Sequence, residues 1–188
     1  MENCTGIILA GGKSTRMGTD KGLLMLNGKT FISHICESLK PITGDNIIIV
    51  SSNTDYDFLG YTRIEDLISD KGPVGGIYTG LKHSKTKMNI VLSVDVPFVT
   101  SDLLEWLLIM HADSFMVTQL QENDKTTPLI AVYDRSMRII LGEAIAGNQL
   151  KLRSVVEEVD HQTLEVPEKW SRQTLNINTQ EDYQNLIK

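Results

Sequence analysis

Three short runs, 5-TGIILA-10, 46-NIIIVSS-52 and 88-MNIVLSVDVP-97, are apolar without the polar alternation of a half-solvated strand. A strand that is apolar toward both faces has to be covered on both, which is the situation of a parallel sheet in an α/β protein. Helix signals separate these runs. Thr30 can cap a segment reaching about Leu39 ahead of Pro41, and Gly72-Pro73 opens a second that ends near Ser84. Thr100 or Ser101 starts a leucine-rich third that reaches about His111. With a further strand at 61-YTRIED-66, strands alternate with helices over the first 110 residues. That order predicts a three-layer α/β fold, a mostly parallel central sheet with helices on both faces, and ligands in such sheets bind outside the strands' carboxyl ends.

The remaining segment is less regular. It predicts strands at 114–120 and 128–133 joined by the polar stretch 121-QENDKTT-127, a helix over about 135–146, another near 151–158, a strand around 162–166 and a helix from Thr179 to Leu186. No linker or repeat divides the 188 residues, so one domain is expected.

The first strand runs directly into 9-LAGGKSTRMGTDKG-22, where four glycines and three cations accompany one carboxylate. Gly12-Lys13-Ser14 resembles the end of a P-loop, but the glycine required five positions earlier falls on Ile7. Counting from Gly6 instead puts Gly12 where lysine is needed, and no Gly-x-Gly dinucleotide fingerprint is present. What remains is a strand followed by Gly11-Gly12, then Arg16, Gly18, Asp20 and Lys21. Adjacent glycines let backbone N–H groups approach an anion closely, and two long cations can reach a triphosphate from the other side. A few residues on, Asn27-Gly28 marks a tight turn.

An excess of 24 acidic over 18 basic residues leaves a net charge of −6, so no general field draws nucleic acid or an anionic membrane. A phosphate ligand has to be held locally. Cys4 and Cys36 form no CxxC, and His34, His83, His111 and His161 lack ligand spacing, so neither structural zinc nor disulfides are expected. No apolar run approaches the roughly 20 residues that span a bilayer, and a cytoplasmic location is expected.

The string LAGGKSTRMGTDK is similar to LAGGxSxRMGxDK, the signature of the molybdenum cofactor guanylyltransferases within the nucleotidyltransferase superfamily. The resemblance continues in order through IED at 64–66, GPxxGI at 72–77, DxP at 95–97, PLIAVY at 128–133 and NINTxED at 176–182. Related cytidylyltransferases more usually carry LAAG in place of LAGG. Gln180 stands where the family usually has proline, Thr127 where it often has histidine, and residues 147–170 match loosely.

The resemblance implies a Rossmann-like nucleotidyltransferase fold, with residues 1–110 binding nucleotide and 111–188 binding the acceptor. It implies transfer of GMP from Mg-GTP to the terminal phosphate of molybdopterin, releasing pyrophosphate. Alternatives are CTP or another acceptor phosphate, or a non-catalytic GTP-binding subunit. Main-chain groups of Leu9, Ala10, Gly11 and Gly12 would line the base and phosphate cleft, while Arg16 and Lys21 would neutralise the β- and γ-phosphates. Asp20 is either an orienter of Lys21 or a solvated acid. Asp95, leaving a buried strand just before Pro97, is the candidate magnesium ligand, with helix capping as its other reading. Asp66 is implied to contact the nucleotide, and Asp70 competes with it. Gly72 and Gly75 would shape a second loop against base or ribose, or only turn the chain into its helix. Ser51 and Asn53 would touch guanine or ribose, or serve the turn. Asn176 and Asn178 would hold the acceptor phosphate or complete the metal site, or cap at Thr179. His34, His83 and Trp106 are expected to be structural. Cofactor-synthesis proteins and molybdoenzyme chaperones are the implied partners.

Overall fold

A computed structural model describes residues 4–11 and 20–186. Along the chain lie β1 (Cys4–Leu9), β2 (Met25–Leu26), β3 (Lys29–Thr30), α1 (Phe31–Thr43), β4 (Ile47–Val50), β5 (Thr62–Ile64), α2 (Gly72–His83) and β6 (Met88–Ser93). They are followed by α3 (Ser101–Met110), β7 (Val117–Glu122), β8 (Lys125–Asp134), α4 (Met137–Ala146), α5 (Leu152–Glu157), β9 (His161–Glu165) and α6 (Gln180–Leu186). Three 3-10 turns, Lys21–Leu23, Thr54–Leu59 and Glu168–Thr174, punctuate these elements.

Seven strands form one sheet in the order β5-β4-β1-β6-β8-β7-β9. β1 pairs in parallel with both β4 and β6, β4 with β5 and β7 with β9, whereas β8 runs antiparallel to β6 and β7. The apolar runs explain this burial directly. Ile8 and Ile49 face a core containing Leu39 of α1 and Leu103 of α3, while Ile7 and Ile48 face one containing Ile77 of α2 and Leu141 of α4. Successive side chains of one strand therefore feed two cores, and the expected mostly parallel, doubly covered sheet is present.

Two local expectations are corrected. Helix α1 does not stop at Leu39 but carries Pro41 inside its last turn. A proline removes one backbone bond, here the one to the carbonyl of solvent-exposed Glu37, while the extra turn buries Ile42 and Thr43. Full burial of an isoleucine contributes about 1.5–3 kcal/mol, comparable with the ~3 kcal/mol that an interior proline costs. The polar segment 121–127 is not a loop either. It belongs to the β7–β8 hairpin, which turns at Asn123 and Asp124, with φ of 50° and 60°. Both residue types tolerate the left-handed region that a two-residue hairpin turn requires. The Asn27-Gly28 turn, by contrast, closes the small β2–β3 hairpin as expected, with φ of 50° and 82°.

Helix α2 lies unusually close to β1. A β-carbon at Gly80 would stand 2.5 Å from Ile7 Cγ2, and one at Gly76 would stand 3.1 Å from Leu9 Cδ2. Glycine at these i, i+4 positions brings the helix down onto the strand and fixes where its N-terminus ends. Gly80→Ala is expected to force α2 outward and to destabilise the protein by about 1–3 kcal/mol, read from the midpoint of chemical denaturation. An unchanged midpoint would show that the contact can relax.

Candidate active site

The carboxyl ends of β4, β1 and β6, the segment after β5 and the N-terminus of α2 surround a cleft of about 670 Å³. That size suits a small-molecule ligand, and the position is the one that open α/β sheets use. Its floor is rigid because the sheet's ladder continues past the strands. The Leu9 carbonyl accepts from the Val94 N–H at 3.0 Å, and the Ala10 N–H donates to the Val50 carbonyl at 3.0 Å. Gly11 follows at the exposed lip. A β-carbon at Gly11 would lie 3.6 Å from Asp66 Oδ2 and 3.7 Å from the Val50 oxygen, ordinary contacts that the protein accommodates. An alanine there would thus occupy cleft space without disturbing the fold.

Opposite Gly11 stands Asp66, whose carboxyl is held above its ordinary pKa of 3.8 by desolvation. Its Oδ1 would be 3.7 Å from a β-carbon at Gly76. Gly72, Pro73 and Gly76 line the cleft from α2, whose first-turn N–H groups lack partners within the helix and whose dipole is positive at this end. Gly72 starts the helix at φ 55°, a conformation that strains any other residue. Gly75 plays a different part from its neighbours. A β-carbon there would meet Lys71 Cβ at 2.7 Å, so this glycine lets the loop fold back on itself, and Gly76 is the one that faces the cleft.

A polar cluster occupies the other side of the β1 exit. Lys21 Nζ donates to Asn178 Oδ1 at 2.9 Å and lies 3.9 Å from Asp95 Oδ2. The side chains of Lys21 and Asp95 are each only 18% exposed. Asp95 Oδ1 is buried and has no hydrogen-bond partner among the described residues. Asn178 arrives from the C-terminal segment, which is pinned by the Ile177 N–H donating to the Asp95 carbonyl at 2.9 Å. Ile177 itself is buried with Leu26 and Phe31. Asp182 accepts from the Asn178 and Thr179 N–H groups at 3.0 and 2.8 Å, and the Thr179 hydroxyl accepts in return from the Asp182 N–H at 3.1 Å. This reciprocal cap holds the Asp182 carboxyl below its usual range through the two backbone N–H bonds. It leaves the Asn178 side chain directed at Lys21, while Asn176 is exposed on the same segment.

The structure therefore gathers Leu9, Gly11, Asp66, Asp70 and Gly72 around the cleft, and Lys21, Asp95 and Asn178 in the adjoining cluster. Gly12 and Arg16 lie outside the described residues. Ser51 is buried, its hydroxyl accepting from the Asn53 N–H at 3.1 Å, and the cleft is lined instead by Ser52. Asp66 and Asp70 both line it. Glu65, Gly76 and Ser93 are among the lining residues that sequence reasoning missed. The i, i+4 spacing of Gly72, Gly76 and Gly80 was a usable signal for the second of these. His34 and His83 bond to the carbonyls of Leu26 and Thr79, and Trp106 packs against Trp170 with ring centroids 5.3 Å apart, all structural roles.

Magnesium can be tested against this arrangement. A buried carboxylate oxygen on Asp95 that has no hydrogen-bond partner among the described residues is the hard donor that Mg²⁺ prefers, and Lys21 approaches the other oxygen only to 3.9 Å. No group of three or more Asp, Glu, His or Cys residues gathers to hold a metal among the described residues. The fit is thus to an ion that brings most of its ligands with it, as Mg²⁺ does on phosphate oxygens and water.

Comparison with known proteins agrees with this geometry. The model of the MobA-like NTP transferase domain matches residues 6–164. A probable molybdenum cofactor guanylyltransferase of Flavobacterium johnsoniae is 39% identical over 186 residues, 99% of this chain and 97% of the relative. Another from Carboxydothermus hydrogenoformans is 30% identical over 193 aligned positions, covering 100% and 97%. Among solved structures, the molybdopterin-guanine dinucleotide biosynthesis protein A of Archaeoglobus fulgidus superimposes with a TM-score of 0.82 at 25% identity, over 97% of this chain and 96% of that one. With a glycine-lined cleft, a lysine and an unsaturated carboxylate at the same strand ends, the chain belongs to the molybdenum cofactor guanylyltransferase family and is a nucleotidyltransferase.

Proposed function

We propose that this protein transfers GMP from Mg-GTP to the terminal phosphate of molybdopterin, forming the guanine dinucleotide cofactor and pyrophosphate. The observation that carries this reading is the Lys21–Asp95–Asn178 cluster set beside a glycine-lined cleft of about 670 Å³. In this reading residues 1–188 act as one domain, in which 1–110 hold the nucleotide and 111–188 contribute the acceptor side. Among the described residues, no helix is long and apolar enough to cross a membrane.

An oxygen of the acceptor phosphate attacks the α-phosphorus, and the bond to the bridging oxygen of the β-phosphate breaks, so the electron pair leaves on pyrophosphate. The attacking phosphate monoester is already largely ionised, since its second pKa is about 6. No general base is needed. The protein's task is positioning and charge neutralisation. The Gly11 and Gly12 backbone admits the nucleotide, and Asp66 meets its guanine or ribose donors across the cleft. Lys21 and Arg16 neutralise the β- and γ-phosphates, and Lys21 exchanges Asn178 and Asp95 for phosphate oxygens. Asn176 and Asn178 face the acceptor phosphate. Asp95 would hold Mg²⁺, which when bound supplies positive charge against the triphosphate and departing pyrophosphate.

With the four nucleoside triphosphates and molybdopterin, pyrophosphate release is expected to be fastest with GTP. Preference for CTP or UTP would overturn the guanylyl assignment, and tight GTP binding without turnover would favour a binding subunit. Lys21→Ala and Asp95→Ala should each lower kcat by on the order of 10²-fold or more while leaving the thermal midpoint close to wild type. Near-normal turnover in either would remove that residue from the site.

Gly11→Ala places a methyl group between Asp66 and Val50, narrowing the space for a purine. It should shift the GTP:CTP ratio of kcat/KM toward CTP by about tenfold, with the fold intact. An unchanged ratio would put base selection elsewhere.

Asp66→Asn separates binding from stability. Because desolvation raises the folded-state pKa of Asp66, its stabilising contribution is present below the ordinary 3.8 and is lost as pH rises through the raised value. Because Asp66 stays exposed at the cleft wall, solvent screens this effect, and at neutral pH the ionised carboxylate costs the fold little. The asparagine variant should therefore melt slightly higher at pH 7 yet show a raised KM for GTP, and its thermal advantage should narrow as pH falls toward the carboxylate range. A lower melting temperature at pH 7 would mean that Asp66 has a stabilising partner.

A further inference from the structure

Asp20 precedes Lys21 in sequence, and the two side chains point to different neighbours. Both oxygens of the Asp20 carboxylate are engaged away from the lysine. Oδ1 accepts from the Tyr56 hydroxyl and from the Gly22 N–H at 3.0 Å, and Oδ2 accepts from Asn53 Nδ2 at 2.8 Å. Lys21 turns instead to Asn178 and Asp95.

The partners of Asp20 are themselves fixed. Tyr56 is 1% exposed, and its hydroxyl is aimed at this loop by packing, because a β-carbon at Gly22 would run into it and would approach Val94 Cγ2 at 2.8 Å. Asn53 caps the Thr54–Leu59 turn by accepting from the Asp55 N–H at 2.9 Å, and its own N–H holds the Ser51 hydroxyl at 3.1 Å. Residues 20–22 are thus wedged between the turn carrying Tyr56 and the Val94-Asp95 exit of β6. A phenylalanine would fill the same ring space, so packing alone does not account for the phenolic oxygen. Its role lies in the bond to Asp20.

We propose that Tyr56 and Asn53 are positioning residues for Lys21: by engaging both oxygens of the Asp20 carboxylate, they compete with the adjacent ammonium for it and favour delivery of that ammonium to the phosphate site. This rests on the reading of Lys21 as the group that neutralises the triphosphate. If the Tyr56 hydroxyl is removed, an acceptor lone pair on Asp20 opens beside Lys21, and charge-assisted hydrogen bonding favours its capture of the lysine. Nucleotide still enters the cleft, but the charge that stabilises the departing pyrophosphate is misplaced.

The test is a double-mutant cycle on the full chain, measuring kcat and KM for GTP together with the thermal midpoint, in wild type, Tyr56→Phe, Lys21→Ala and the double variant. Tyr56→Phe should lower kcat about tenfold with KM changed less than about threefold, and should cause no further loss in the Lys21→Ala background. Equal losses in both backgrounds, or full activity of Tyr56→Phe while Lys21→Ala is impaired, would overturn the inference. Should Tyr56→Phe not fold, Asn53→Ser carries the same cycle, since it frees Oδ2 of Asp20 while a serine can still cap the Thr54–Leu59 turn. An unimpaired Lys21→Ala would instead overturn the assignment on which the inference stands.

Discussion

Everything at the site depends on the parallel pairing of β1 with β6, in which Leu9 lies opposite Ser93. Because the two strands run in the same direction and end together, Gly11 and Asp95 emerge at one edge of the sheet. β4 lies on the other side of β1, so the crossovers through α1 and α2 leave in opposite senses and open a crevice between them. The close approach of Gly80 to Ile7 then sets the height of α2 and brings its N-terminus to the cleft wall. A shift in strand register or in that helix contact would separate the glycine lip, the helix dipole and the Asp95 carboxylate from one another.

Electrostatics explains why so many groups at this edge lack an ideal partner. A chain of net charge −6 has no overall attraction for a polyanion, so the site has to hold its own positive elements close to groups it does not neutralise. Lys21 stands 3.9 Å from Asp95, a loose separation that leaves one carboxylate oxygen orphaned and buried. Asp66, exposed at the cleft wall, is partly desolvated, and that alone raises its carboxyl above the usual range. These arrangements disfavour the ligand-free fold, and such local departures from good pairing are what a binding site is expected to show. Asp20 is the contrast. Both of its oxygens accept hydrogen bonds, three in all among the described residues, which fits a carboxylate that shapes the loop.

The sheet was legible because strand burial is written in consecutive residues: Ile47, Ile48, Ile49 and Val50 leave no polar face to solvate. Asn27-Gly28 was legible as a turn because glycine at the second position is a strong backbone signal, whereas Asn123-Asp124 makes the same left-handed turn without one and read as loop. Pro41 misled for a related reason. Local propensity marks a helix end there, but the burial of Ile42 and Thr43 is a tertiary fact. At the site, Asp95 stood out from its place at the end of a buried strand, whereas Lys21 came from the glycine-loop motif and Asp66 from the resemblance, since position alone did not separate it from Asp70. Gly76 was passed over for Gly75, although its i, i+4 spacing from Gly72 and Gly80 puts it on the helix face turned toward β1. Tyr56 carried no signal at all, since its bond to Asp20 spans 36 positions and two loops.

The C-terminal segment shows how the two halves of the chain are tied together. β8 continues the sheet of the first half by pairing with β6, from Met88 opposite Asp134 to Leu92 opposite Ile130. Farther on, Ile177 is buried beside Phe31 and donates its N–H to the Asp95 carbonyl, while Tyr183 stacks edge-on to Phe31 and its hydroxyl donates to the Met25 carbonyl at 2.9 Å. Asn178 is thereby presented to Lys21 from a segment that is itself anchored on both sides of the glycine loop's downstream end. A ligand that draws Lys21 away from Asn178 must alter the environment of the C-terminal segment at the same moment.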